Sequence, residues 1–132
     1  MVGIILVSHG QLAEGMIDSA RMFFGEEGLE QVTSVALFPG ESPETFDEKL
    51  TKARKEVDVG EGVVILADLL GGTPGNRAAC ICEKKVQVIC GVNLPLFVEL
   101  LGQRLQGNEV DIDYLLEVAT KGLVHINALM DD

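Results

Sequence analysis

His9 closes the apolar run Val2-Gly3-Ile4-Ile5-Leu6-Val7-Ser8, and Asp68 closes a second such run, Gly62-Val63-Val64-Ile65-Leu66-Ala67. A histidine and an aspartate brought to neighbouring strand ends make an oriented imidazole. The carboxylate accepts Nδ1–H, leaves Nε2 as a nucleophile, and offsets the positive charge that develops on the ring. A third feature indicates what that nucleophile would attack. Gly71-Gly72-Thr73 lies just beyond Asp68, and glycine-rich backbone N–H groups at a strand-to-helix turn form a cradle for phosphate. The stretch Gly71 to Arg77 lacks the P-loop lysine, which disfavours nucleotide hydrolysis. No GxSxG elbow is present, which disfavours acyl transfer. A histidine that carries phosphate fits best. His9 and Asp68 are therefore the expected catalytic pair, with Gly10, Gly71, Gly72 and Thr73 as the expected phosphate-binding residues.

Each feature taken alone has a plain structural alternative. His9 could be hydrogen-bonded within a loop, and Gly71-Gly72-Thr73-Pro74 could be a tight turn. Their coincidence at the carboxyl ends of parallel strands, where open α/β sheets bind ligands, favours chemistry. Asn93 stays open between a site role and a hydrogen bond inside its own loop. His125 has no partner cluster nearby and is expected to be a surface or interface histidine. Cys80, Cys82 and Cys90 are odd in number and expected to be buried reduced thiols. Cys80-Ile81-Cys82 has no matching Cys/His pair, so neither metal nor cofactor is expected.

The elements that must position these residues follow from periodicity. Apolar runs without alternation suit strands covered on both faces, as in a parallel sheet. Such strands are expected at Val2–His9, Val32–Leu37, Gly62–Ala67 and Val86–Cys90. Between them, Leu12, Ala13, Met16, Ile17, Ala20, Phe23 and Phe24 recur at helical spacing. Ser42-Pro43 marks a helix start running to about Val57. A short helix is expected from Arg77 to about Glu83, another carries Leu96, Phe97, Leu100, Leu101 and Leu105, and a last spans Asp111 to Lys121 with Gly122 as its stop. Each connection is long enough to hold a helix, so right-handed crossovers and an all-parallel core are the default. Leu123–Asn127 is expected as a short edge strand.

With 132 residues, 47% of them hydrophobic, one domain over residues 1–132 with a sizeable core is expected. No stretch approaches a membrane span and the start lacks signal-peptide character, so a cytoplasmic protein is expected. A net charge of −11 argues against nucleic acid and anionic membrane surfaces as partners.

Across nearly its whole length the chain resembles the IIA component of the mannose/fructose/sorbose-type bacterial sugar phosphotransferase system (PTS). The resemblance rests on Ser8-His9-Gly10, Phe38-Pro39-Gly40-Glu41, Asp68-Leu69-Leu70-Gly71-Gly72-Thr73-Pro74 and Gly91-Val92-Asn93-Leu94-Pro95, in that order. It implies a doubly wound α/β fold: four parallel strands in the order 2-1-3-4, helices on both faces, and a C-terminal antiparallel edge strand exchanged in a homodimer. It implies that His9 accepts a phosphoryl group from the carrier protein HPr and passes it to a IIB component. IIB in turn serves the membrane IIC and IID subunits, with which the chain would be peripherally associated. The histidine-orienting aspartate maps onto Asp68, and the phosphate-loop hydroxyl and amides onto Gly72 and Thr73. The chain resembles a stand-alone IIA, and a basic or apolar face of HPr is expected around His9. Three alternatives share parts of this pattern: the phosphotransfer subunit of a PTS-dependent dihydroxyacetone kinase, a flavodoxin-like flavin-binding module, and a purely regulatory docking domain.

Overall fold

The structure is a computed structural model and describes residues 1–131. The chain divides into two units, Met1–Val92 and Asn93–Asp132. The first holds β1 (Gly3–His9), α1 (Leu12–Phe24), β2 (Val32–Leu37), α2 (Pro43–Val57), β3 (Val63–Ala67), α3 (Thr73–Ala79) and β4 (Val86–Cys90). The second holds α4 (Leu94–Leu105), α5 (Ile112–Lys121) and α6 (Ile126–Met130).

The four strands form one sheet in the order β2-β1-β3-β4, and every neighbouring pair is parallel. β1 lies second from one edge, which explains its unbroken apolar run: it is buried from Gly3 through Ser8 and emerges only at His9. Strand alternation sends Ile5 and Val7 to one face and Ile4, Leu6 and Ser8 to the other. On the first face Ile5 and Val7 join Val35, Val63, Ile65, Ala67 and Val86 against Phe46, Leu50, Ala53 and Val57 of α2 and Ala78 of α3. Phe46 is fully buried, and a phenylalanine so placed contributes about 1.5–3 kcal/mol over an exposed one. α1 packs on the opposite face through Ala13 and Ala20, while Leu12 and Phe23, expected on its inner face, are exposed.

Register sets the site. His9 pairs with Leu37, Val7 with Ala67, and Ala67 with Cys90. The residue after Ala67 is Asp68, whose N–H donates to Val7 O at 3.1 Å, so the carboxyl ends of β1, β2 and β3 are level.

Two expectations are corrected. The short helix starts at Thr73, four residues before Arg77, and stops at Ala79. Pro74 in its first turn lacks an N–H that the helix would leave unused there anyway. Beyond it, Glu83 and Val86 exchange hydrogen bonds of 3.1 and 3.0 Å across a tight turn into β4. The edge strand expected over Leu123–Asn127 is not formed: Leu123–His125 are irregular and Ile126–Met130 are helical. A strand needs a neighbour for its backbone groups, whereas a helical turn satisfies them locally.

In the second unit Asn93 caps α4, accepting from Leu96 N–H at 3.0 Å. Its Nδ2 donates to Ala119 O at 2.8 Å, tying α4 to α5. Both polar ends of Asn93 are thus used structurally. Among the described residues no helix is long and apolar enough to cross a membrane.

Candidate functional site

The site begins with the exit of β1. Ser8 is buried and turns its hydroxyl to the start of α1, accepting from Ala13 N–H at 2.8 Å and donating to Gly10 O at 3.2 Å. Gly10 takes φ +56°, in the left-handed region, and donates its N–H to Leu37 O at 2.8 Å. With both neighbours fixed, His9 is held at the rim with its side chain 48% exposed.

Asp68 leaves β3 beside it with its side chain only 7% exposed. Its Oδ2 accepts the backbone N–H of His9 at 2.9 Å and lies 2.8 Å from Nδ1 of the same residue. Oδ1 accepts Leu69 N–H at 2.9 Å. Burial pushes the Asp68 carboxyl up, but the His9 amide, the His9 ring and the Leu69 amide outweigh it and hold the group below the usual aspartate range. The carboxylate is ionised at neutral pH and can only accept, so Nδ1 carries a proton, and the neutral tautomer this selects is the one with its lone pair on Nε2.

The glycine-rich loop closes the other side of the ring. A Cβ built on Gly72 would overlap Cε1 of His9 and lie 3.0 Å from Nε2. Gly72 has an ordinary φ of −88°, so glycine is required there by steric contact with the imidazole and not by backbone conformation. Gly71 does need its conformation, at φ +94°. The loop is fastened from α3: Asn76 N–H donates to Gly72 O at 2.9 Å and Asn76 Nδ2 to Gly71 O at 3.3 Å. A Cβ at Gly75 would stand 2.8 Å from Leu69 O, so Gly75 lets α3 approach the Asp68-Leu69 segment. Thr73 opens α3 and is half-buried.

His9, Asp68, Gly10 and Gly72 therefore meet at one rim, with Gly71 and Thr73 flanking Gly72. Ser8, Gly75 and Asn76 were not singled out from sequence. Ser8 carries a readable signal, a small hydroxyl residue just before a helical pattern, whereas Gly75 and Asn76 become meaningful only once α3 is seen to begin at Thr73. Cys90, at the end of β4, is half-buried; burial first and the Asp68 charge second push its thiol up, which keeps it protonated. Cys80 and Cys82 are exposed, not buried as expected. Among the described residues no group of three or more His, Cys, Asp or Glu side chains is placed to hold a metal. The arrangement presents an imidazole with Nδ1 engaged and Nε2 free, a buried carboxylate behind it, and the glycine loop in front of it.

The model of the EIIA-man family, PTS system fructose IIA component, matches residues 3–115. The chain is 35% identical over 106 residues to the PTS system fructose-specific EIIA component of Bacillus subtilis (strain 168), covering 79% of this chain and 71% of that protein. It is 35% identical over 122 residues to the PTS system mannose-specific EIIAB component of Escherichia coli (strain K12), covering 91% of this chain but 36% of that longer protein. Its fold superposes on the crystal structure of the PTS IIA protein associated with the fucose utilization operon from Streptococcus pneumoniae with a TM-score of 0.88 at 29% identity, covering 99% of this chain and 100% of that one.

Proposed function

Because the chain belongs to the EIIA-man family of PTS IIA components, we propose that it is a phosphohistidine carrier in which His9 accepts a phosphoryl group from phospho-HPr and transfers it to a IIB component during sugar uptake. The observation that carries this reading is the double use of Asp68 Oδ2, which accepts the His9 amide at 2.9 Å and stands 2.8 Å from Nδ1. One oxygen thereby fixes both the position of the residue and the tautomer of its ring.

Nε2 then attacks phosphorus with its lone pair. The bond from phosphorus to the donor breaks, its electron pair returns to the donor, and the His9 ring becomes an N-phosphorylated imidazolium. Asp68 compensates that charge, and the same steps in reverse order deliver the group to IIB. Phosphoryl transfer needs little covalent help from the protein, so catalysis is positioning plus charge stabilisation. Gly10, Gly71, Gly72 and Thr73 are the phosphate-binding residues in this reading. The absence of a Cβ at Gly72, which would fill the space at Cε1 and Nε2, supports placing the phosphoryl oxygens against that loop. The carrier would work in the cytoplasm as a single functional domain, in a homodimer, reaching the membrane IIC and IID subunits only through IIB.

The test is incubation of the protein with HPr and its phosphate source, followed by mass spectrometry. One added phosphoryl group on His9, lost in His9→Ala, is expected. Label that persists in His9→Ala would exclude His9 as the acceptor.

A further inference from the structure

β2 ends one residue before a turn that is tied down more heavily than a surface loop requires. Leu37 is the strand partner of His9, and Phe38 follows it with 43% of its surface exposed. Pro39 and Gly40 form the centre of the turn, Gly40 at φ +83°, and Glu41 N–H donates to Phe38 O at 3.2 Å; this is the pattern of a type II turn. The Glu41 side chain folds back so that Oε1 accepts Phe38 N–H at 2.7 Å.

Lys49 of α2 adds a second layer. Its Nζ donates to Glu41 Oε1 at 2.8 Å, lies 2.7 Å from Oε2, donates to Ala36 O at 3.0 Å, and sits 5.0 Å from the centre of the Phe38 ring. The Lys49 ammonium first, and the Phe38 amide second, hold the Glu41 carboxyl below its usual range. Ala36 O lies on the open edge of β2, which among the described residues pairs with β1 alone, so the same ammonium also covers an edge carbonyl that would otherwise invite another strand. Four contacts converge on a turn whose one exposed large group is an aromatic ring.

Other apolar side chains next to His9 and Asp68 in the chain are open as well. Leu12, three residues after His9, is 55% exposed, and Leu69 and Leu70, next to Asp68, are 48% and 83% exposed. Apolar side chains left open around a functional residue mark a protein contact. The net charge of −11 favours a partner that brings basic groups to such a contact.

We propose that Phe38 is a fixed contact for the protein that donates the phosphoryl group to His9, and that Glu41 and Lys49 are positioning residues that act through it. This rests on the reading of His9 as the phosphoryl acceptor. An aromatic ring held in one place costs little entropy when a partner closes over it, and the rigid turn sets the distance between that contact and Nε2.

The experiment is single-turnover phosphorylation over a range of phospho-HPr concentrations, alongside the partner-free hydrolysis rate of phosphorylated His9. Phe38→Ala, Glu41→Ala and Lys49→Met should each raise the half-saturating donor concentration, Phe38→Ala by about tenfold. The maximal rate should stay within about twofold and the hydrolysis rate unchanged, because none of the three residues touches His9 or Asp68. Lys49→Met combined with Phe38→Ala should be no worse than Phe38→Ala alone, since a residue acting through another adds nothing once that other is gone. Glu41→Gln, which keeps the acceptor for Phe38 N–H, should recover part of the loss in Glu41→Ala. An unchanged half-saturation in Phe38→Ala overturns the proposal, as do additive effects in the double variant. Absence of label in the wild-type protein would instead overturn the role of His9 itself.

Discussion

At the scale of single residues the site depends on one buried charge and one missing Cβ. Asp68→Asn keeps the shape and loses the charge, so His9 can adopt the wrong tautomer and the imidazolium formed during attack goes uncompensated. Phosphoryl transfer should slow by about 10²-fold or more, on the order of 3 kcal/mol, with little change in half-saturation by HPr. The Asp68 carboxyl also carries a pH signature. Its folded value lies below the usual aspartate range, so the unfolded chain takes up the proton first as pH falls. The stability that Asp68 contributes is full above the ordinary aspartate value and is lost as the pH drops through the depressed folded value. Urea titrations of wild type and Asp68→Asn should therefore keep their gap from neutral pH down to the ordinary aspartate value and converge as the pH falls below it; a gap that persists in acid would remove the charge from the account. Gly72→Ala tests the other feature. At its ordinary φ the exchange would by itself stabilise by about 0.4–1 kcal/mol through the unfolded chain, yet the new methyl overlaps the His9 ring. Transfer should fall by something on the order of 10²-fold as the ring is displaced, while the fold survives. Wild-type transfer in single-turnover kinetics would show that the loop yields freely.

At the scale of elements, the junction from β1 to α1 aims the histidine. Ser8 supplies both an acceptor for Ala13 N–H and a donor to Gly10 O from a buried position. Ser8→Ala leaves that helix amide without its cap and should cost about 1–2 kcal/mol in urea denaturation, with transfer reduced because His9 stands between the two hydrogen-bonded neighbours. Unaltered stability would mean that water replaces the hydroxyl. α2 and α3 are joined on the opposite face by a two-pronged ion pair: Arg77 Nε donates to Asp47 Oδ1 at 2.8 Å and its terminal nitrogen to Oδ2 at 2.5 Å. Half-exposed pairs of this kind contribute specificity of packing more than energy.

At the scale of the whole molecule, the C-terminal segment is the feature without a partner. Leu123, Val124, Ile126, Leu129 and Met130 are all exposed, Leu123 at 88%. In the dimer proposed above these side chains would be covered by a second copy. Light scattering at micromolar concentration should report twice the chain mass, and removal of residues 123–132 should reduce it to the monomer. A monomer mass for the intact chain would rule the dimer out.

Much of this is legible in the sequence. The buried strands were legible because a parallel sheet covered on both faces imposes unbroken apolar runs, and a run that stops at His9 or Asp68 marks where the sheet ends. The family resemblance supplied the strand order, which no periodicity encodes. What tertiary structure alone decided is register and close approach. Sequence can put a histidine and an aspartate at strand ends, but only the pairing of Val7 with Ala67 brings Asp68 Oδ2 to the backbone N–H and the Nδ1 of His9 together. Sequence can mark Gly72 as permissive, but only the packed loop shows that the imidazole occupies the place of its side chain. Asn93 is ambiguous in sequence because a polar residue before a helix serves equally as a cap or a ligand contact, and its two hydrogen bonds make it a cap. The C-terminal segment misled because its apolar residues suit a strand only when an edge is offered, and a helical turn is what the chain makes from its own backbone.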